Sequence, residues 1–181
     1  VNSRSSSSYT VKPETNVIYT NAFRSYSALT SVTLHERIGS IGQYAFSSCN
    51  KLSSVVIGDS VETIGDYAFY QCSKLKKLDL SAWDLSYLTT MNSLCNGCTA
   101  LEEVVFPETH LVTCAEGSNT RLNIQYAFVN VKSMKKLDLS MIYGQVGDLY
   151  RWIFETPLME EIYVQNLTAQ TAHLGNTVPG S

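Results

Sequence analysis

Charged residues are scarce in this chain. Its 181 residues hold 13 Lys and Arg and 16 Asp and Glu, 16% in all, against about 25% in an ordinary soluble domain. The net charge is -3, which argues against a nucleic-acid-binding domain with its basic patch. Long apolar runs are missing as well, and none approaches the ~18 residues that span a bilayer. Histidine occurs three times, as His35, His110 and His173, without the spacing of a zinc site. No G-x-G-x-x-G, P-loop or G-x-S-x-G motif is present. No cofactor, metal or catalytic residue is therefore expected. The five cysteines are an odd number, which excludes a fully paired disulfide framework within one chain.

What is present is a 44% apolar fraction, too high for disorder. Hydroxyl residues and eleven tyrosines take the place of charge. The chain starts at Val1, as expected of a processed or trimmed product, and residues 1–8 read as a polar, Ser-rich tether. They contain no apolar segment and do not form a signal peptide.

The organising feature is an internal repeat. Ile41, Gly42, Tyr44, Ala45 and Phe46 recur 23 residues later as Ile64, Gly65, Tyr67, Ala68 and Phe69. Cys49 and Cys72 follow each Phe by three residues, and Leu52 and Leu75 follow it by six, opening an L-x-x-[LV]-x-[LI] run. The same frame is found around Phe23 and Leu29, Cys95 and Leu101, and Phe128 and Met134. A sixth copy reads Ile153, Phe154, Pro157 and Met159. The first residue of the leucine run advances by 23, 23, 26, 33 and 25. Tyr9 and Val11 supply a partial capping rung. Such units cannot bury an apolar face alone, so they must stack.

Alternation in Lys77-Leu78-Asp79-Leu80 marks a short strand with one face in the core. Ile64, Ala68, Phe69 and Cys72 have the spacing of a two-turn helical stripe. The expectation is an α/β repeat: a right-handed leucine-rich-repeat solenoid of six to seven rungs, each a short parallel strand plus a short helix or turn.

The unit I-G-x-x-A-F-x-x-C-x-x-L-x-x-[LV]-x-[IL], with Gly58 to Val61 between copies, resembles the BspA-type leucine-rich repeat. Leu78 to Ser86 is similar to the L-D-L-S-x-[FW]-D repeats found beside it. The resemblance covers roughly residues 16 to 164. It implies a secreted or surface-attached protein, of the kind common in gut and oral anaerobes such as Bacteroides relatives, that adheres to or binds protein or other surface ligands. It implies no catalytic residue or cofactor.

Within that frame the candidate sites acquire structural readings. Cys95 and Cys98 have redox spacing, but Cys95 stands at the Phe position and Cys98 shares a column with Cys49 and Cys72. Buried free thiols are expected, with Cys114 the most reactive. Glu102-Glu103 and Glu160-Glu161 suggest a glycosidase pair. The frame instead aligns them with Lys76-Lys77 and Lys135-Lys136 in a ladder of alternating sign that supports strand register. His35 is expected on the solvated surface, and Trp83 and Trp152 against the solenoid edge.

Ligand contacts are expected on a slightly curved, concave strand face, at Thr33, Val56, Asp79, Val105, Asp138 and Tyr163, with Asp79 and Asp138 discounted as repeat positions. A loop insertion at 107–123 adds His110, Glu116 and Asn119. The division is a tether at 1–8, a solenoid at 9–165 and a cap or tail at 166–181. The function expected is a non-enzymatic, extracellular or cell-surface binding module for a host or microbial protein or glycan. It contacts a membrane only through an anchor outside this chain. The alternatives are a structural spacer in a larger surface protein and, less favoured, a carbohydrate hydrolase.

Overall fold

Each L-x-x-[LV]-x-[LI] run is a three-residue strand whose central side chain points into the core. The computed structural model describes residues 4–108, 112–114, 122–148, 151–164 and 167–171. Along it run β1 (Ser8–Thr10), β2 (Val17–Ile18), β3 (Ser31–Thr33), β4 (Ser40–Ile41), β5 (Ser54–Val56), β6 (Thr63–Ile64) and β7 (Lys77–Asp79). A 3-10 turn (Leu85–Tyr87) follows, then β8 (Glu103–Val105), β9 (Val112–Cys114), β10 (Phe128–Val129) and β11 (Lys136–Asp138). The last elements are β12 (Ile142–Asp148), β13 (Ile153–Phe154), β14 (Glu161–Tyr163) and β15 (Leu167–Thr171). All pairings are parallel and in register. Val32 lies beside Val55, Leu78 beside Val104, and Leu137 beside Ile162. The result is a parallel solenoid of about six turns, with β1, β3, β5, β7, β8, β11 and β14 along one face.

The short helix expected behind each strand is not there. Among the described residues the only helical element is the 3-10 turn at Leu85–Tyr87. The I-G-x-Y-A-F-x-x-C segment is a ribbon of tight turns. Ala45, Ser47 and Cys49 donate their N–H groups to Gly42, Tyr44 and Phe46, three residues back in the same rung. The residues between them, Tyr44, Phe46 and Ser48, donate to Asp66, Ala68 and Tyr70 of the next rung, at 3.0, 2.8 and 2.7 Å. A helix sends every N–H back into its own coil, which would leave none for the neighbour. The turn ribbon uses alternate N–H groups to bind rung to rung. It requires two left-handed residues per rung, Tyr44 and Ser48 (φ 56° and 59°), then Tyr67 and Gln71 (φ 59° and 56°). Each costs roughly 1–2 kcal/mol in a helix-like setting, which the inter-rung bonds offset. The same side chains, Ile64, Ala68, Phe69 and Cys72, are buried either way, so periodicity alone could not separate the two structures.

Glycine is required where rungs touch. A Cβ on Gly42 would lie 2.5 Å from Thr20 N, and one on Gly65 2.5 Å from Gln43 N.

The core is built from columns. Phe23 stacks on Phe46 and Phe46 on Phe69, at 5.1 and 5.3 Å between ring centres. Cys95, Phe128 and Ile153 continue that column. Phe128 pairs with Ile153, and its N–H reaches Trp152 O at 2.8 Å. This corrects the frame of the sixth copy by one residue: Trp152 fills the Ala position, Ile153 the Phe position and buried Thr156 the Cys position, while Phe154 turns outward and Pro157 lies beyond. Trp83 and Trp152 are inside the core rather than at its edge.

The 107–123 insertion is not simply a loop. It contains β9, which pairs with β12, and β12 pairs with β15. A third sheet thus appears only in the last rungs.

Candidate functional site

The strand face holds the candidate contact residues in one row, divided into three groups. Thr33 lies beside Val56, Asp79 beside Val105, and Asp138 beside Tyr163. Between the groups the row is interrupted. Neither β5 and β7 nor β8 and β11 are joined as a strand pair. The loop candidates His110, Glu116 and Asn119 lie outside the described residues.

Charge follows the expected ladder at two of its three steps. Lys76 meets Glu102 at 3.8 Å, Lys77 meets Glu103 at 3.2 Å, and Lys135 meets Glu160 at 3.5 Å. Lys136 instead stacks 4.4 Å over the Tyr163 ring, whose hydroxyl donates to Glu161 at 3.0 Å. Asp79 and Asp138 each accept two bonds from the Ser two residues on, and the hydroxyl bond is 2.6 Å in both. The serine hydroxyl is the main reason both carboxyls lie below their ordinary range, with Lys77 and Lys136 adding to it.

The missing step is the one between Glu102-Glu103 and Lys135-Lys136. There a cleft of about 770 Å³ opens. Its two walls are the facing edges of β8 and β11, each paired, among the described residues, only on its far side, to β7 and β14. Their Cα atoms approach within 8 Å, narrower than the ~9.6 Å that an inserted strand needs. The two rungs are joined on either side of the cleft. Ser133 Oγ donates to Thr99 O at 3.0 Å before the strands, and β9 pairs with β12 after them.

The floor is core. Val104 and Phe106 are 8% and 9% exposed, where the equivalent Leu78, Leu80, Leu137 and Leu139 are 0–1%. Met141 completes the floor, with Pro107, Glu108, Asp138 and Ser140 at the rim. Of the face candidates, Val105 and Asp138 line the cleft, whereas Thr33, Val56, Asp79 and Tyr163 stand elsewhere on the face. Phe106, Glu108 and Met141 were not singled out from the sequence. The signal nearest to them is the 33-residue step, the largest in the repeat, although strand pairing is also missing between β5 and β7, where the step is 23.

The cysteines are structural. Cys49, Cys72, Cys95 and Cys98 are buried free thiols. Cys49, Cys72 and Cys98 donate to the carbonyls of Phe23, Phe46 and Phe69 in the preceding rung, at 3.0, 3.1 and 3.0 Å. Burial pushes the Cys49 thiol up to about 11 and Cys72 well above the ordinary range. At Cys95 the hydrogen bond with the Cys98 thiol and burial act in the same direction. The side chain of Cys114 lies outside the described residues. His35 is not a free surface group: it is half-buried, Nδ1 accepts the Arg37 N–H at 3.1 Å, and Nε2 donates to Lys12 O at 2.8 Å, one rung back.

The family described as the BspA type leucine rich repeat region (6 copies) matches residues 2–118. The chain belongs to the BspA-type leucine-rich-repeat family. Solved structures agree on the fold of this BspA-type protein. The leucine-rich repeat protein of T. pallidum is 18% identical with a TM-score of 0.69, over 90% of this chain and 73% of that one. The pneumococcal vaccine antigen PcpA is 19% identical with a TM-score of 0.55, over 88% of this chain and 42% of that one. No curated protein matches the sequence. Among the described residues no group of three metal-ligating side chains comes together, and no helix is long and apolar enough to cross a membrane.

Proposed function

We propose that this chain is a non-catalytic binding module, exposed on a cell surface or outside the cell, that recognises a protein or glycan ligand through its strand face. The observation that carries this reading is the break in the strand row. A cleft with a core-lined floor and a charged rim has the size and composition of a ligand site. Val56 and Tyr163, 55% and 45% exposed, add apolar contact area on the same face. An extracellular or surface location is supported by the family and by the likeness to a protein described as a vaccine antigen.

The test is an array of glycans and surface proteins probed with the purified chain and with three variants, Val56→Asp, Val105→Asp and Tyr163→Ala. A sub-millimolar ligand whose binding falls in at least one variant is the expected result. No ligand, or a ligand indifferent to all three, would overturn the strand face as a binding surface.

A further inference from the structure

Resting on the binding-module reading, we propose that the cleft between β8 and β11 takes an extended peptide segment that lowers one apolar side chain onto Phe106 and Met141 and sets a basic side chain beside Glu108. Three observations point to that chemistry.

The walls are main chain. Two strand edges face each other without pairing, and each offers backbone donors and acceptors. A peptide supplies the complementary amides, which an aliphatic or purely sugar ligand lacks. The gap is too narrow for a whole strand paired to both edges, so the bound backbone lies along the mouth, bonded to one edge, and a side chain descends.

The floor is apolar and slightly uncovered. Val104 and Phe106, at 8% and 9%, are more exposed than Val32 and Leu34 of the doubly paired β3, at 1% and 2%. An inserted apolar side chain restores the missing contacts, and the buried area drives binding.

The rim is acidic in balance. Among the described residues, Glu102, Glu103, Glu108 and Asp138 share the rim with the cations Lys135 and Lys136 alone. Five of these six already have partners: Glu102 and Glu103 hold Lys76 and Lys77, Lys135 holds Glu160, Lys136 covers Tyr163, and Asp138 holds Ser140. Among the described residues Glu108 pairs with no cation, and it is exposed. A Lys or Arg of the ligand completes it.

The probes are three capped synthetic peptides, Gly-Ser-Lys-Phe-Lys-Ser-Gly and its Glu-Phe-Glu and Lys-Ser-Lys analogues, titrated into the isotopically labelled full chain while backbone amide NMR shifts are followed. The Lys-Phe-Lys peptide should shift amides of 102–108 and 135–141. The two analogues should bind at least about tenfold more weakly, the scale of one lost charge or anchor contact. Glu108→Lys should weaken the Lys-Phe-Lys peptide about tenfold. Val105→Trp, which fills the cleft from an outward position, should abolish binding, with circular dichroism verifying that both variants fold. Equal affinity for the Glu-Phe-Glu peptide, or binding unchanged in Val105→Trp, would refute the assignment. Shifts centred on β3 and β5 would refute the cleft while leaving the strand face as a binding surface. No shift with the Lys-Phe-Lys peptide at millimolar concentration, alongside a strand-face ligand from the array, would overturn the peptide assignment alone.

Discussion

At the scale of single residues, hydroxyl and thiol groups are what tie the rungs together. Thr30 Oγ1 donates to Ser7 O, Ser53 Oγ to Thr30 O, Ser73 Oγ to Asn50 O and Thr99 Oγ1 to Ser73 O, each reaching one rung back. The abundance of Ser and Thr is thus explained in part by bonding along the solenoid axis, with the Cys S–H ladder repeating the device inside the core. Buried in the core, with Cys49, Cys72 and Cys98 bonded to carbonyls and Cys95 to the Cys98 thiol, the four should resist a thiol reagent in the native protein and react once it is unfolded. Mass mapping after labelling checks this, and native labelling of Cys98 would contradict it. Glycine gives a sharper contrast. Gly65→Ala drives a Cβ against backbone and should cost about 2 kcal/mol or more. Gly39→Ala, whose nearest heavy atom is 3.9 Å away, should be close to neutral in urea denaturation.

Asp79 and Asp138 belong to the residue scale as well. Their carboxyls titrate below the ordinary 3.8 in the folded chain. The unfolded chain therefore takes up protons first, and the stabilisation present above pH 3.8 is lost as pH falls through the folded values. The urea midpoint should drop with acid, and the double variant D79N/D138N should flatten that slope while keeping most of the stability at neutral pH, because Asn still accepts from Ser.

At the scale of elements, the turn ribbon decides the architecture. Eleven non-glycine residues adopt positive φ among those described, together with Gly97, and most of them recur as the two left-handed positions of each rung. Far-UV circular dichroism should show a sheet and turn spectrum without the double minimum of helix. Strand pairing is the second element-scale variable. β3 is bonded on both sides, to β1 and β5, whereas β8 and β11 are each bonded on one. Amides of β8 and β11 should exchange with solvent faster than those of β3, because fewer of their hydrogen bonds must open. Equal protection across the three strands would show the seam to be closed in solution.

At the scale of the whole molecule, the rungs on either side of the cleft stay joined on two sides and part on the third. The ribbon runs through, with Cys95 N–H bonded to Ala127 O and Gly97 N–H to Val129 O, and β9 pairs with β12. Only the strand row opens. A ligand in the cleft therefore meets a site held by a continuous frame, and should raise the unfolding temperature with the logarithm of its free concentration above Kd.

The repeat made the stacked architecture legible, because a leucine every rung has no other way to leave water. It also set the buried columns, the free thiols and the opposite charges at Lys77 and Glu103, since in-register parallel strands bring equivalent positions together. Two things were decided only in three dimensions. The I-G-x-Y-A-F segment carries an apolar spacing shared by helix and turn ribbon, and the demand of backbone N–H groups for partners in the next rung selects the ribbon. The ladder of charge assumes every neighbouring strand is paired. Between β8 and β11 the rung carrying β9 is longer, the pairing is lost, and the charges of Glu102 and Glu103 turn to the intact rung behind them, leaving an open cleft where the repeat alone implies a continuous sheet.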